Sequence, residues 1–291
     1  MCVAPIPLKM DSLKWKAKKA LTDAVSDIVN VPCGRCVECR RSYVNGWVLR
    51  LTNEFKAKTT NRASFITLTY ADNSLYDIDN GLINDSGEYD INYSHYQLFM
   101  KRLRKSYEGK INNKIKYFAV GEYGDKSDRP HFHAIIFNAD QQNVINSWPY
   151  GSVHFGEVNE ATIKYTLKYA MKKVARVYKS DYREGKISRT PEKALMSKGL
   201  GESYLTDNIK NYYQNDITKN VVKENGVVQS LPRYYREKIY TEAQLQARSN
   251  LIQKEMAKNY SDEQLRENQA LSRRGFEKET KKQTRRKDVG Y

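Results

Sequence analysis

The stretch Arg129–Phe137, RPHFHAIIF, limits what this chain can fold into more than any other segment. It is apolar and aromatic, it is entered from Pro130, and it leaves through Asn138-Ala139-Asp140. That pattern predicts a buried strand that starts at a proline turn. Along a strand, side chains alternate between faces, so His131 and His133 leave one face and Phe132 the other. Two imidazoles side by side supply half of a divalent-metal site. A hard catalytic ion takes a carboxylate as its next donor. Glu122 is the candidate: it closes the preceding run, IKYFAVGEY, one short turn upstream. Hairpin pairing of a strand over Lys114–Tyr123 with the histidine strand brings Glu122 close to the start of the latter. The other two histidines, His95 and His154, are weaker candidates, and His154 reads as a surface or core histidine.

Other segments give the frame around this hairpin. Ser42–Lys58 has an amphipathic helical pattern, with Tyr43, Trp47, Leu51 and Phe55 at steps of four as its core stripe. The run ending in FITLTY, Arg62–Tyr70, alternates like a strand. Asp72–Tyr89 is polar and glycine-containing and reads as an exposed loop. Ser94 is the expected N-cap of a helix reaching about Ser106, with Tyr96, Phe99, Met100 and Leu103 inward. A short helix over Asn143–Trp148, a strand over Gly151–Val158 and a helix capped by Asn159 complete this part. Beyond Val177 the pattern loosens. Tyr204–Tyr213 reads as helical, Asn225-Gly226 centres a hairpin, and LPRYYR is a basic aromatic patch. From Thr241 the chain is a charged, helical tail that ends in KKQTRRK. The expected fold is α+β, an antiparallel sheet with packed helices, flanked by an N-terminal Cys-rich segment and the charged tail. The expected parts are residues 1–60, 61–178 and 179–291.

Charge points to a partner. Lys and Arg number 50 against 34 Asp and Glu, a formal +16, and such an excess favours a polyanion, most often nucleic acid. The 22 tyrosines interleaved with basic residues suit stacking on single strands beside phosphate contacts. A basic, solvated surface with half-buried tyrosines is the plain alternative. No apolar run approaches the roughly 20 residues that span a bilayer, and no apolar secretory signal stands at the start, so a soluble intracellular protein is expected. No Gly-x-x-x-x-Gly-Lys-Ser/Thr phosphate loop is present, which speaks against a helicase of its own.

The cysteines are Cys2, Cys33, Cys36 and Cys39, and three of them form CGRCVEC. In a cytosolic chain that spacing points to metal rather than to disulfides. Two steps of three residues can wrap three thiolates around a tetrahedral ion, and Cys2 is the other thiol available to a structural zinc. An iron–sulfur cluster and three small residues buried in a turn stay open as alternatives.

The helix after Asn159 carries a doubled Tyr-x-x-Lys: Tyr165 with Lys168, and Tyr169 with Lys172. Tyrosines four apart share a helix face. A tyrosine hydroxyl beside a cation, or facing a metal-polarised phosphate, can act as a nucleophile. Packing and a solvated lysine face are the ordinary uses of such residues. The combination of His-Phe-His, a glutamate-bearing strand and a tyrosine–lysine helix in a basic chain is what favours chemistry on a phosphodiester.

These residues carry a family resemblance. RPHFHAIIF resembles the His-hydrophobic-His motif of the rolling-circle replication initiators, the HUH endonucleases. FITLTY resembles their first motif, and YTLKYAMKK the two-tyrosine motif of initiators from small icosahedral single-stranded DNA phages. The N-terminal cysteine, PCGRCVEC, GEYG ahead of RPHFH, and PRYY are similar to segments of the initiators of gokushovirus-type microviruses. Met196-Ser-Lys-Gly-Leu-Gly departs from the proline-containing version in those relatives. The resemblance implies an antiparallel, RRM-like palm with the histidines on a central strand, and Mg²⁺ or Mn²⁺ held by His131, His133 and Glu122. It further implies that one tyrosine attacks the origin, leaving a 5′-phosphotyrosyl link and a 3′-OH for host polymerase, and that the second tyrosine ends the round. Single-stranded and origin DNA, a host helicase and a host polymerase are the implied partners, in the cytoplasm of the bacterial host. A non-catalytic origin-binding module, or a relaxase or single-strand transposase of related fold, are the rival readings.

Overall fold

The computed structural model describes residues 6–9, 28–34, 36–57, 60, 62–85, 87–108, 114–124, 127–172, 189–224 and 227–259, with 263–264, 267, 270–271 and 274 beyond them. The chain divides into two compact units, Trp47–Tyr204, and Met1–Gly46 with Leu205–Tyr291.

In chain order, β1 (Ile6–Lys9) pairs antiparallel with β2 (Ile28–Val31). Helix α1 (Val37–Phe55) follows the cysteine turn, so it begins five residues ahead of the expected Ser42. Its stripe is core only in the middle: Trp47 and Leu51 are buried, whereas Tyr43 and Phe55 are exposed. Next come β3 (Ala63–Tyr70) and α2 (Asp72–Tyr76). The segment expected to be an exposed loop therefore holds a short helix, and Leu75 and Leu82 within it are fully buried. A few apolar anchors fold a mostly polar segment down onto the core. Helix α3 (Tyr93–Ser106) is capped by Asn92, whose side chain accepts from Ser94 N at 3.0 Å. Asn92 rather than Ser94 is thus the cap, one of two capping-type residues separated by Tyr93.

Strands β4 (Lys116–Tyr123) and β5 (Pro130–Phe137) form the expected hairpin. Helix α4 (Gln141–Ser147) is capped by Asp140, which accepts from Asn143 N at 2.9 Å. Then follow β6 (Gly151–Gly156), α5 (Glu160–Lys172) and the short β7 (Ala194–Met196). The five strands make one antiparallel sheet in the order β6-β3-β5-β4-β7, so the fold is α+β, with the histidine strand at the sheet's centre.

One face of this sheet is the main core. Ile66, Leu68, Phe132 and Ala134 are fully buried there with Tyr96, Phe99 and Leu103 of α3 and Val144 of α4. The other face changes character along the strands. At one end Phe118 and Ile135 are buried, with Trp47 tilted against Phe118 at 4.8 Å between ring centroids. At that end buried Glu54 of α1 accepts from Lys116 Nζ at 2.7 and 2.9 Å and from Gly201 N at 2.8 Å. At the opposite end the same face turns polar. That polarity change along one face is what creates the site.

The other unit contains α6 (Asp207–Gln214), β8 (Val221–Glu224) paired with β9 (Val227–Ser230), α7 (Arg233–Ile239) and α8 (Glu242–Asn259). The expected hairpin is present, and its Asn225-Gly226 turn lies outside the described residues. Tyr213, Tyr235 and Tyr240 are buried, so half of the PRYY patch is core. Buried Arg248 of α8 donates to the carbonyls of Ile217 and Lys219 at 2.6 and 2.8 Å, closing the loop ahead of β8. Among the described residues no helix is long and apolar enough to cross a membrane.

Candidate metal centre and nucleophile

The β4–β5 register pairs Glu122 with His131 and Val120 with His133. Directly paired residues point to the same side of a sheet, as do residues two apart on one strand. Glu122, His131 and His133 therefore meet on the polar end of the second face. Their ligand atoms all lie within 4.8 Å of one another. Glu122 Oε2 is 3.8 Å from His131 Nε2 and 3.5 Å from His133 Nε2. Glu122 is 2% exposed and His133 8%.

Hydrogen bonds behind the rings set which nitrogen faces the carboxylate as a lone pair. His131 Nδ1 lies 3.1 Å from the Arg129 carbonyl. A carbonyl only accepts, so Nδ1 carries the hydrogen and Nε2 offers a lone pair. His133 Nδ1 lies 2.9 Å from Thr67 Oγ1, a hydroxyl that can accept in the same way. Two imidazole lone pairs and a carboxylate oxygen then converge in a water-poor corner, and that donor set fits a divalent cation between them. Burial, and then the neighbouring His131, push the His133 pKa down to about 4, so the imidazole stands neutral there at neutral pH.

Tyr165 of α5 comes to this corner. Its ring meets His133 edge-on at 5.8 Å between centroids and Phe65 at 6.2 Å, while Phe65 stacks on His133 at 5.7 Å. Ile163 and Leu167 on the same helix are buried and fix α5 over β4 and β5, which leaves Tyr165 42% exposed at the rim. The side chains of Lys168, Tyr169 and Lys172 lie outside the described residues.

The cysteines gather at a second place. Cys33, Cys36 and Cys39 have sulfurs within 4.8 Å of one another, with Cys33 and Cys39 4.0 Å apart. Cys36 N donates to Cys33 Sγ at 3.3 Å and Cys39 N to Cys36 Sγ at 3.5 Å. Amide hydrogens aimed at sulfur favour thiolates, the ligand form. Gly34, at φ 73°, supplies the left-handed turn that lets the chain fold back on itself. Cys2 lies outside the described residues.

His95 is a core residue, stacked on Tyr150 at 4.1 Å and 3.2 Å from the Tyr70 hydroxyl. Thr67 is the functional neighbour that motif reading passed over. Its signal was present, because FITLTY places Thr67 and Thr69 on one face and Ile66 and Leu68 on the other. A threonine in a strand, however, reads first as β-propensity.

Comparison with known proteins agrees with this geometry. The family model of the replication-associated protein ORF2 matches residues 63–174, the span from β3 through α5. The replication-associated protein ORF2 of Spiroplasma virus 4 is 32% identical over 238 residues, covering 75% of this chain and 70% of that protein. The replication-associated protein VP4 of Bdellovibrio phage phiMH2K is 26% identical over 261 residues, covering 81% and 76%. The replication-associated protein ORF4 of Chlamydia phage 1 is 28% identical over 229 residues, and the match spans 71% of this chain and 53% of that longer protein. No solved structure matches. The chain belongs to the replication-associated proteins of the microviruses, the rolling-circle initiators that its motifs resemble.

Proposed function

We propose that this replication protein nicks and rejoins single-stranded viral origin DNA through a tyrosine nucleophile. The observation that carries the reading is the contact of Tyr165 with His133, which sets a phenol beside a three-ligand corner on an open face. Glu122, His131 and His133 would hold Mg²⁺ or Mn²⁺. Bound there, the ion would supply Lewis-acid polarisation of a non-bridging phosphate oxygen.

The chain's own residues do the rest. The Tyr165 hydroxyl gives up its proton and its oxygen forms a bond to phosphorus. The bond from phosphorus to the 3′ oxygen breaks, and that oxygen takes a proton to become a free 3′-OH. Lys168 and Lys172 offer positive charge for the phosphorane-like transition state. Tyr169, four residues on, repeats the attack after one round of synthesis, and the released 3′-OH resolves the first link to close a circle. Host polymerase extends the primer and a host helicase opens the duplex, in the cytoplasm of the bacterial host. Residues 61–178 form the nuclease core, and 1–60 and 179–291 flank it. Cys33, Cys36 and Cys39, with Cys2, hold a structural zinc.

The test is a covalent adduct. The protein is incubated with single-stranded origin DNA and Mn²⁺ and run on a denaturing gel. A shifted protein–DNA band is expected, reduced in Tyr165→Phe and absent in Tyr165→Phe/Tyr169→Phe. An adduct that survives the double substitution assigns the nucleophile elsewhere.

A further inference from the structure

The sheet registers continue past the metal corner. Thr69 pairs with His131 on one side and with Ser152 on the other, and Thr67 pairs with His133 and with His154. Two rows therefore cross the sheet on one face: Glu122–His131–Thr69–Ser152 and Val120–His133–Thr67–His154. Helix α5 lies over β4 and β5. The β3–β6 half of the face is open: Ser152 and His154 are exposed, and they alternate along β6 with the less exposed Val153 and Phe155. The opposite face of β3 carries the fully buried Ile66 and Leu68, so this polarity belongs to one side only.

We propose that Thr69, Ser152 and His154 form a shelf that holds the nucleotide next to the scissile phosphate. The proposal rests on the strand-cleaving reading above and names positioning residues for it. Strands lie about 4.8 Å apart, so the β6 side chains stand roughly 10 Å across the sheet from those of β5. That is too far to ligate the same ion and suits the next stretch of a bound strand. The chemistry is that of a sugar–phosphate backbone. Thr69 Oγ1 and Ser152 Oγ are 2.7 Å apart, two hydroxyls that share one hydrogen and leave another to donate outward. His154 adds a ring N–H donor, and none of the three is a carboxylate. The occupant is single-stranded DNA, because the shelf is continuous with the cleavage corner and the chain carries a formal +16. A duplex or an RNA would meet the same donors, and both serve as competitors in the test.

Binding of a fluorescent single-stranded origin oligonucleotide is followed by anisotropy in EDTA, where cleavage is off, with the full-length protein. Ser152→Ala/His154→Ala is expected to weaken binding about tenfold, the loss of two or three hydrogen bonds, with an unchanged melting temperature. Ser152→Thr/His154→Gln, which keeps donors at both positions, is expected to restore most of the affinity. His154→Ala alone alters one exposed side chain and decides the matter if the double variant melts early. Unchanged affinity in the alanine variants, or failure of the conservative pair to rescue, overturns the shelf. Equal competition by duplex overturns its assignment to a single strand, and equal competition by RNA its assignment to DNA. The adduct gel on the wild-type protein is read separately. Weakened binding in the variants with no adduct from wild type would remove the nuclease reading while the shelf stands as a DNA contact.

Discussion

The Nδ1 atom of His133 lies 2.9 Å from the hydroxyl oxygen of Thr67 across the β3–β5 pairing. A ligating histidine needs its second nitrogen held by an acceptor, which fixes both tautomer and ring plane. Thr67 provides it from the neighbouring strand, as the Arg129 carbonyl does for His131. Thr67→Val keeps the branched shape and removes the acceptor. Mn²⁺ affinity, measured by calorimetric or spin-resonance titration, is expected to fall about 10–100-fold, with Thr67→Ser close to wild type. Equal Mn²⁺ affinity in Thr67→Val would show that the ring is held by other means.

Gly151 begins β6 where no side chain fits. A Cβ there would stand 2.2 Å from the Thr69 carbonyl oxygen and 2.5 Å from Ala71 N, both backbone atoms that cannot swing aside. Gly156, at the other end of the strand, would place its Cβ 3.2 Å from the Phe65 ring, which can tilt. Gly151→Ala is therefore expected to cost about 1–3 kcal/mol or more, and Gly156→Ala well under that. Chemical denaturation of the two variants side by side checks the ranking, and equal costs would mean that β6 shifts freely as a body.

Much of this was legible because it is local. The His-x-His pair, its strand and the preceding hairpin with Glu122 follow from a period of two and a short turn. The doubled Tyr-x-x-Lys sits on the predicted helix. What escaped was non-local. His154 reads as an ordinary histidine until the pairing of β6 with β3, more than 80 residues apart in sequence, puts it in one row with His133. Strand β7 is three residues long, too short to carry a period, and it exists because β4 offers an edge. The Asp72–Tyr89 segment looked like loop because its apolar anchors are sparse and unpatterned, and the start of α1 was hidden among the cysteines.

Asp140 ties acid stability to the end of the histidine strand. It caps α4 through Asn143 N at 2.9 Å, accepts from Asn143 Nδ2 at 2.7 Å and from the Tyr107 hydroxyl. Burial pushes its carboxyl up, but the bonds from Tyr107 and Asn143 outweigh that and hold it at about 2, below the ordinary 3.8. A pKa lowered by folding gives stability that is present above the unfolded value and is lost as pH falls through the folded one. The wild type is thus expected to lose stability between about pH 4 and pH 2 through this group. Asp140→Asn keeps a capping side chain without the titration, so its stability should fall less over that interval. Parallel pH–stability curves there would assign the acid limb to other carboxylates.

Cys36 is the central and most buried of the three clustered cysteines, 1% exposed. Its sulfur receives the Cys39 amide, and its own amide points to Cys33. Replacing it removes a ligand and breaks the relay that orients the other two. Purified protein is expected to hold about one zinc per chain by elemental analysis, lost in Cys36→Ser. A strong chelator should lower the melting temperature of wild type and leave that of the variant unchanged, because metal binding contributes to folding where it orders the site. An absorption band in the visible with iron in the analysis would instead assign the thiolates to an iron–sulfur cluster. No bound metal, with the same melting curve before and after Cys36→Ser, would reduce the cluster to a packed turn.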